Sequence, residues 1–212
     1  MPSAARPAAT AAIPGPPLDA KRMVDLAGAA SGLLLAAPVL LLAAAAVAVE
    51  TPGPVLFRQP RTGRGGRVFQ LVKLRTMHRG VCDPRGARLA APGDPRITRV
   101  GAILRRFHLD ELPQLMNVLR GEMSLVGPRP HALHARAGER LYPDAAPGYA
   151  RRHAVRPGLT GWAQVRGWHG PTPTGRALRG RVACDRAYIA RRSLALDLRI
   201  LLATPAAVLR RS

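Results

Sequence analysis

Of the 12 acidic residues in this 212-residue chain only two are adjacent, Asp110 and Glu111. They stand within residues 94–130, which also carry Arg96, Arg99, Arg105, Arg106, Arg120 and Arg129. Two carboxylates ringed by guanidinium groups point to an anionic substrate, a divalent cation, or both. The spacing predicts a helix with Asp110 as its N-cap and Glu111 and Pro113 in its first turn. Leu112, Leu115, Met116 and Leu119 would form its apolar stripe. The helix dipole would there favour the ionised form of both carboxylates. A capped core helix among solvated surface arginines accounts for the same residues without any chemistry, so the rest of the chain has to decide.

Composition narrows the choice. A net charge of +21, from 33 basic and 12 acidic residues, attracts nucleic acid, anionic lipid or phosphorylated substrates. Every basic residue except Lys21 and Lys73 is arginine, which marks those two as positions that need an ammonium group. Aromatics make up only 4%, too few for stacking platforms that bind single-stranded nucleic acid. Cys82 and Cys184 are too few and too distant for a disulfide framework or a zinc site. His131, His134, His153 and His169 lack metal-ligand spacing. His108 reads either as a general base beside the carboxylates or as a side chain packed between Phe107 and Leu109.

The elements that would position these groups follow from periodicity. Residues 1–18, rich in Ala and Pro, read as a disordered tail. Lys21 and Arg22 lead into residues 26–49, a run of 24 without charge, roughly 36 Å as a helix and enough to cross a bilayer core. Basic residues on both flanks place both ends on the cytoplasmic side. Pro38 lies near the middle, where it removes a helix hydrogen bond. A re-entrant hairpin turning at Pro38 satisfies both facts, and a plain span remains open. Residues 55–57 and 68–72 read as strands around a turn at 62–66, whose glycines and arginines form either a phosphate cradle or a plain hairpin loop. Lys73 and Arg75, two apart, share one face of the second strand. Residues 78–95 read as loop, 131–148 as a polar helix and connector, and 155–165 as a Pro-Gly turn with a short strand. Residues 167–180 read as loop and 185–202 as helix. The apolar pattern of 194–209 suits a helix lying on a membrane face or one packed in the core.

The order of these motifs resembles the bacterial sugar transferase family, the monotopic polyprenyl-phosphate phosphoglycosyl transferases. The resemblance covers about residues 21–209. It rests on Lys21, Arg22 and Asp25, then GPVLFRQ at 53–59, KLRTM at 73–77, DPRITRVG at 94–101 and LDELPQ at 109–114. NVLRGEMSLVGPRP at 117–130, RPGLTGWAQ at 156–164, and Asp185, Tyr188, Ser193, Leu194 and Asp197 complete it. The chain looks like the small catalytic-core form.

The resemblance implies an α/β enzyme, mostly helical with a small β element. Residues 19–50 would be membrane-inserted and residues 51–212 a cytosolic catalytic domain at the bacterial cytoplasmic membrane. The reaction implied takes a sugar 1-phosphate from a UDP-sugar to undecaprenyl phosphate through an aspartyl-phosphosugar, initiating a polysaccharide or glycoprotein glycan. Carried onto this chain, Asp110 would be the nucleophile and Glu111 a ligand for Mg²⁺. Lys73, Arg75, Arg105, Arg129 and Arg156 would grip the diphosphate or nucleotide. Membrane lipid would be a partner, polymeric nucleic acid would not, and there is room for a homodimer. Three departures stand out: Ala37 replaces the usual serine before the proline, Phe107-His108 replace small hydroxyl residues, and residues 165–170 replace an Asn-Gly pattern. The rival reading is a non-enzymatic, membrane-anchored basic domain that binds nucleic acid or anionic lipid.

Overall fold

The computed structural model describes residues 19–81, 90, 93–168, 170, 172 and 174–209. The predicted tail at 1–18, Cys82 and His169 lie outside them. The architecture is mostly helical, with three two-stranded pieces of sheet.

Helix α1 (Ala20–Glu50) begins at Asp19, whose side chain accepts the Arg22 N–H at 2.7 Å, and continues through Pro38 as one helix. It is long and apolar enough to cross a membrane. Its first half packs Ala29 and Leu33 into a core of Phe69, Leu71, Leu115, Met123, Tyr188 and Ile200. Small residues make that approach feasible: a Cβ on Gly28 would come within 2.6 Å of Leu125, and one on Gly32 within 3.2 Å of Leu115. Its second half packs Leu40, Ala43 and Val47 against Leu74 and Leu104. Between these contacts Leu34, Leu35, Leu41 and Leu42 stand more than 70% exposed. The basic start of α1 is internally bonded. Arg22 is buried and donates to the carbonyls of Val118 and Leu119, while Lys21 pairs with Asp197 at 2.6 Å.

Strands β1 (Leu56–Thr62) and β2 (Val68–Leu74) form the expected hairpin, longer than the sequence indicated, with Phe57 facing Lys73. Its Gly63–Arg67 turn closes on its own backbone, with the Gly63 N–H donating to Arg67 at 2.7 Å. Helix α2 (Arg99–Arg106) is capped by Thr98, and the Glu50 carboxylate accepts its Val100 N–H, which joins the end of α1 to the start of α2. Helix α3 (Leu115–Leu119) is fixed to β2 by the fully buried Asn117. That side chain accepts from the Val72 N–H at 3.0 Å and donates to the Gln70 carbonyl at 2.7 Å.

Strand β3 (Ser124–Val126) pairs in parallel with β6 (Gly158–Thr160). Between them residues 131–148 depart from the predicted polar helix. They form a small hairpin of β4 (Arg136–Ala137) and β5 (Arg140–Leu141), then the single turn α4 (Tyr142–Ala145). Gly138, at φ 61, makes the tight reversal that a helix would not allow. Helix α5 (Trp162–Val165) precedes α6 (Gly175–Arg191) and α7 (Leu194–Leu209). The predicted 185–202 helix is thus broken at Arg192-Ser193, where the Ser193 hydroxyl accepts the Leu196 N–H and starts a new helix. Helix α7 buries Asp197 and Ile200 and leaves Leu198, Leu202 and Leu209 outward.

Arg152, buried, donates to the Asp185 carboxylate through two nitrogens at 3.1 and 2.9 Å and to the Arg129 carbonyl at 2.6 Å. Removing one member of such a buried pair strands the other charge. Asp185→Ala should therefore cost about 3–5 kcal/mol, read as a lowered unfolding midpoint of the detergent-solubilised chain. An unchanged midpoint would show that the pair holds nothing together.

Candidate active site

The carboxylate pair is not on an N-capped α-helix. It sits in a 3₁₀ turn, Leu109–Gln114, ahead of α3, and the residue at the cap position is His108 in the left-handed region at φ 56. Pro113 lacks the N–H that an α-helix would need there, and the tighter turn uses a shorter repeat. His108 is the only non-glycine residue with positive φ among the described residues. Its conformation reverses the chain between α2 and the turn, so that Asp110 points inward and is 6% exposed. Leu115, Asn117 and Val118 are buried, and Leu119 from the expected stripe is exposed.

The two carboxylates have different surroundings. Glu111 accepts two bonds from the Arg129 guanidinium, one at 2.9 Å from Nη1 and a second, shorter one from Nη2. Among the described residues no hydrogen bond reaches Asp110. Burial, then the Glu111 charge, raises the Asp110 carboxyl to about 6 against the partial opposition of Lys73, Arg105 and Arg129. Burial acts the same way on Glu111, but the Arg129 guanidinium overrides it and holds Glu111 below the usual carboxylate range. The sequence argument that the helix dipole would ionise both groups fails for Asp110, because a six-residue 3₁₀ turn offers too little dipole against desolvation.

Three of the five predicted phosphate-binding residues converge here. Lys73 is half-buried on β2 beneath the Phe57 ring, 5.3 Å from its centroid, and burial lowers its ammonium to about 8 although Asp110 opposes the shift. Arg105 is oriented by donating Nε to the Thr76 hydroxyl at 2.8 Å. Arg129 is the partner of Glu111. The other two lie elsewhere. Arg75 is buried with its terminal nitrogens on the carbonyls of Thr51 and Pro52, at 2.6 and 2.7 Å, where it fastens the chain leaving α1. Arg156 lines a separate cavity of about 450 Å³ with Lys21, Arg64 and Arg192. Both are corrections to the sequence reading: the motifs carry the residues, but the fold turns them away from Asp110.

Two openings meet at Arg129. One is a polar cavity of about 170 Å³, walled by Lys73, Arg105, Arg129, Arg61, His131 and Arg181. In the sequence Arg61 stands out only as a neighbour of the candidate phosphate cradle at 62–66, His131 was set aside for want of metal-ligand spacing, and Arg181 was missed, because the three come from distant segments. The second is an apolar groove of about 310 Å³ beside Glu111 and Arg129, formed by Leu112, Leu125, Leu159, Leu201 and Val208. His108 lines that groove as well.

No group of three His, Cys, Asp or Glu side chains among the described residues is arranged to hold a metal. A divalent ion here would rest on one or two carboxylates plus substrate oxygens, which is how Mg²⁺ binds. The hard oxygen donors of the pair suit that ion, and Glu111 would ligate it by releasing one arm of Arg129.

A cationic cavity and an apolar groove that share Arg129, the partner of Glu111, fit an anionic substrate next to a hydrocarbon one. The chain belongs to the bacterial sugar transferase family, whose pattern it matches over residues 18–211. It is 55% identical over 184 residues to a UDP-glucose:undecaprenyl-phosphate glucose-1-phosphate transferase of Caulobacter vibrioides, covering 87% of this chain and 67% of that one. It is 48% identical to the exopolysaccharide production protein PSS of Rhizobium leguminosarum bv. phaseoli, over 87% of this chain and 92% of that one. A UDP-glucose:undecaprenyl-phosphate glucose-1-phosphate transferase of Escherichia coli K12 is 45% identical, and there this chain spans only 39% of the relative's length.

The unequal environments make a direct test available. Glu111→Gln removes the second cause of the raised Asp110 value, so its carboxyl, followed by carbon-13 NMR or infrared titration, should fall from about 6 towards the ordinary range near 4. A value that stays near 6 would mean that burial alone sets it.

Proposed function

We propose that this chain transfers a sugar 1-phosphate from a UDP-sugar to undecaprenyl phosphate, with Asp110 as the nucleophile. The observation that carries the reading is the meeting of the cationic cavity and the apolar groove at Arg129, the partner of Glu111, beside a buried carboxylate that accepts no hydrogen bond among the described residues. The relatives' names supply the substrate classes.

In the first half-reaction the donor's diphosphate lies against Lys73, Arg105 and Arg129, whose charges screen its own as the Asp110 oxygen approaches. That oxygen bonds to the sugar-bearing phosphorus as the bond to the bridging oxygen breaks. The electron pair stays on the bridging oxygen, and UMP departs. A raised but near-neutral carboxyl is ionised often enough to attack at pH 7, and as a desolvated anion it is a better nucleophile than a hydrated one. In the second half-reaction the phosphate of the lipid attacks the same phosphorus and Asp110 leaves. The first isoprene units lie in the groove between Leu112 and Val208. Splitting the transfer in this way lets one site serve two substrates that never have to be bound together. Glu111 is the residue that would hold Mg²⁺, and the ion would supply neutralisation of charge on the transferring group.

The lipid acceptor requires a membrane. Helix α1 enters the cytoplasmic membrane and returns near Pro38, leaving the catalytic residues on the cytosolic face. Support comes from the two halves of α1 packing on one domain while the leucines either side of Pro38 stay bare. A straight 31-residue helix would measure about 46 Å and carry its far end well away. The outward leucines of α7 give the same face a second apolar contact. The non-catalytic alternative finds no support in these relatives, and Lys21 and Arg22, which it would use as free charges, are consumed by internal bonds.

The test uses the full chain in lipid nanodiscs with a panel of UDP-sugars bearing radiolabelled sugar. The wild type should move label into undecaprenyl phosphate from at least one donor and stop when Mg²⁺ is chelated. Asp110→Asn should lower the rate on the order of a thousandfold or more. Undiminished transfer by that variant removes the mechanism, and no transfer from any donor removes the function.

A further inference from the structure

The inner wall of the cationic cavity contains hydrogen-bond donors that face one another without an acceptor. His131 is 6% exposed, and its Nδ1 lies 2.7 Å from Arg152 Nη1. A guanidinium nitrogen can only donate, so Nδ1 accepts and the ring proton is on Nε2. Burial, reinforced by Arg152 and Arg181, keeps the ring neutral. Its Nε2–H then points at Arg181 Nη1, 3.4 Å away, and two donors oppose each other. Arg181 is 3% exposed and cannot turn aside, because its Nε and Nη2 are bonded to the carbonyls of Trp168 and Gly170 at 2.8–3.0 Å. In the same cavity lining the Nε of Arg61 is buried with no partner among the described residues, although Arg61 Nη1 reaches the Pro130 carbonyl and Nη2 the Gln59 side chain.

Buried donors without acceptors are costly, and about 170 Å³ of cavity leaves room for far more than the roughly 10–15 Å³ one water occupies. An oxygen-rich anion satisfies all three at once. Lys73, Arg105 and Arg129 act on Asp110 and line the same cavity, while Arg61, His131 and Arg181 line it without acting on Asp110 to the same degree, so the two sets can hold different phosphates of one donor.

We propose that Arg61, His131 and Arg181 form the site for the phosphate of the leaving nucleotide. The assignment rests on the phosphosugar-transfer reading and deepens it. When the bond between the two phosphorus atoms' bridging oxygen and the sugar-bearing phosphorus breaks, the electron pair remains with UMP, whose phosphate gains a negative charge. The three donors meet that charge as it forms and do so without reorganising, since each is fixed by its other bonds. Selection for a nucleoside phosphate over a bare nucleoside follows from the same arrangement.

The experiment is calorimetric titration of the full chain in nanodiscs with UMP, uridine and inorganic phosphate, with no sugar donor present. Two variants remove donors from the site. Arg61→Gln removes the whole guanidinium with its charge, Nε–H included, and His131→Asn keeps an acceptor for Arg152 while removing Nε2–H. UMP should bind at least tenfold more weakly to Arg61→Gln and several-fold more weakly to His131→Asn, with uridine unchanged in both. If one variant does not fold, the other carries the test. UMP bound equally tightly by wild type and variant overturns the site, as does an equal loss of uridine. A wild type that shows this UMP pattern but transfers nothing from any UDP-sugar leaves the anion site standing and removes the reaction.

Discussion

The ion pair between Glu111 and Arg129 is the constraint on which the site depends. It ties the 3₁₀ turn carrying Asp110 to the segment after β3. Because Arg129 holds Glu111 as an anion, the second carboxylate is left to titrate higher, and two adjacent acids take different roles. The pair is only half-buried, so its Coulomb energy is modest by itself. Its consequence is geometric: Arg129 is placed where the cationic cavity and the apolar groove share a wall. Behind it, the Arg129 carbonyl is held by Arg152, which is held by Asp185 on α6, so the position of the guanidinium is fixed from the core outward.

That arrangement explains why the long apolar helix is part of the fold rather than an attachment to it. Helix α1 supplies Ala29 and Leu33 to the main core and Val47 to another, and its Asp25 accepts from the Ser124 hydroxyl and the Leu125 N–H, which positions β3. The strand that delivers Arg129 is therefore registered by the helix that is long and apolar enough to cross a membrane. Under the proposed reaction, this coupling would bring a soluble nucleotide-sugar and a hydrocarbon chain to one site.

Much of this was legible in residue patterns, and the exceptions have physical causes. The β1–β2 hairpin followed from alternation and glycine punctuation, and the near absence of lysine singled out Lys73, which the fold places close enough to Asp110 for the two charges to act on each other. The carboxylate pair was found by adjacency. Its local structure was misread because helical spacing over Leu112–Leu119 does not distinguish an α turn from a 3₁₀ turn, and the left-handed His108 leaves no mark in periodicity. Arg75 and Arg156 show the limit of a motif: it names a residue without saying which way the backbone turns it. Arg61, His131 and Arg181, about 50 and 70 positions apart, meet only because the chain between them folds into a compact alanine-rich cluster around Tyr142 and Tyr149. No spacing rule links them.

The central claim is that Asp110 carries the phosphosugar between the two substrates. Intact-mass measurement of the chain after incubation with its UDP-sugar in the absence of undecaprenyl phosphate tests it most directly. The account predicts release of about one equivalent of UMP per chain and a matching mass increase of one sugar phosphate, located by peptide mapping to residue 110. UMP released only when the lipid acceptor is present, with no adduct on the protein, would contradict it.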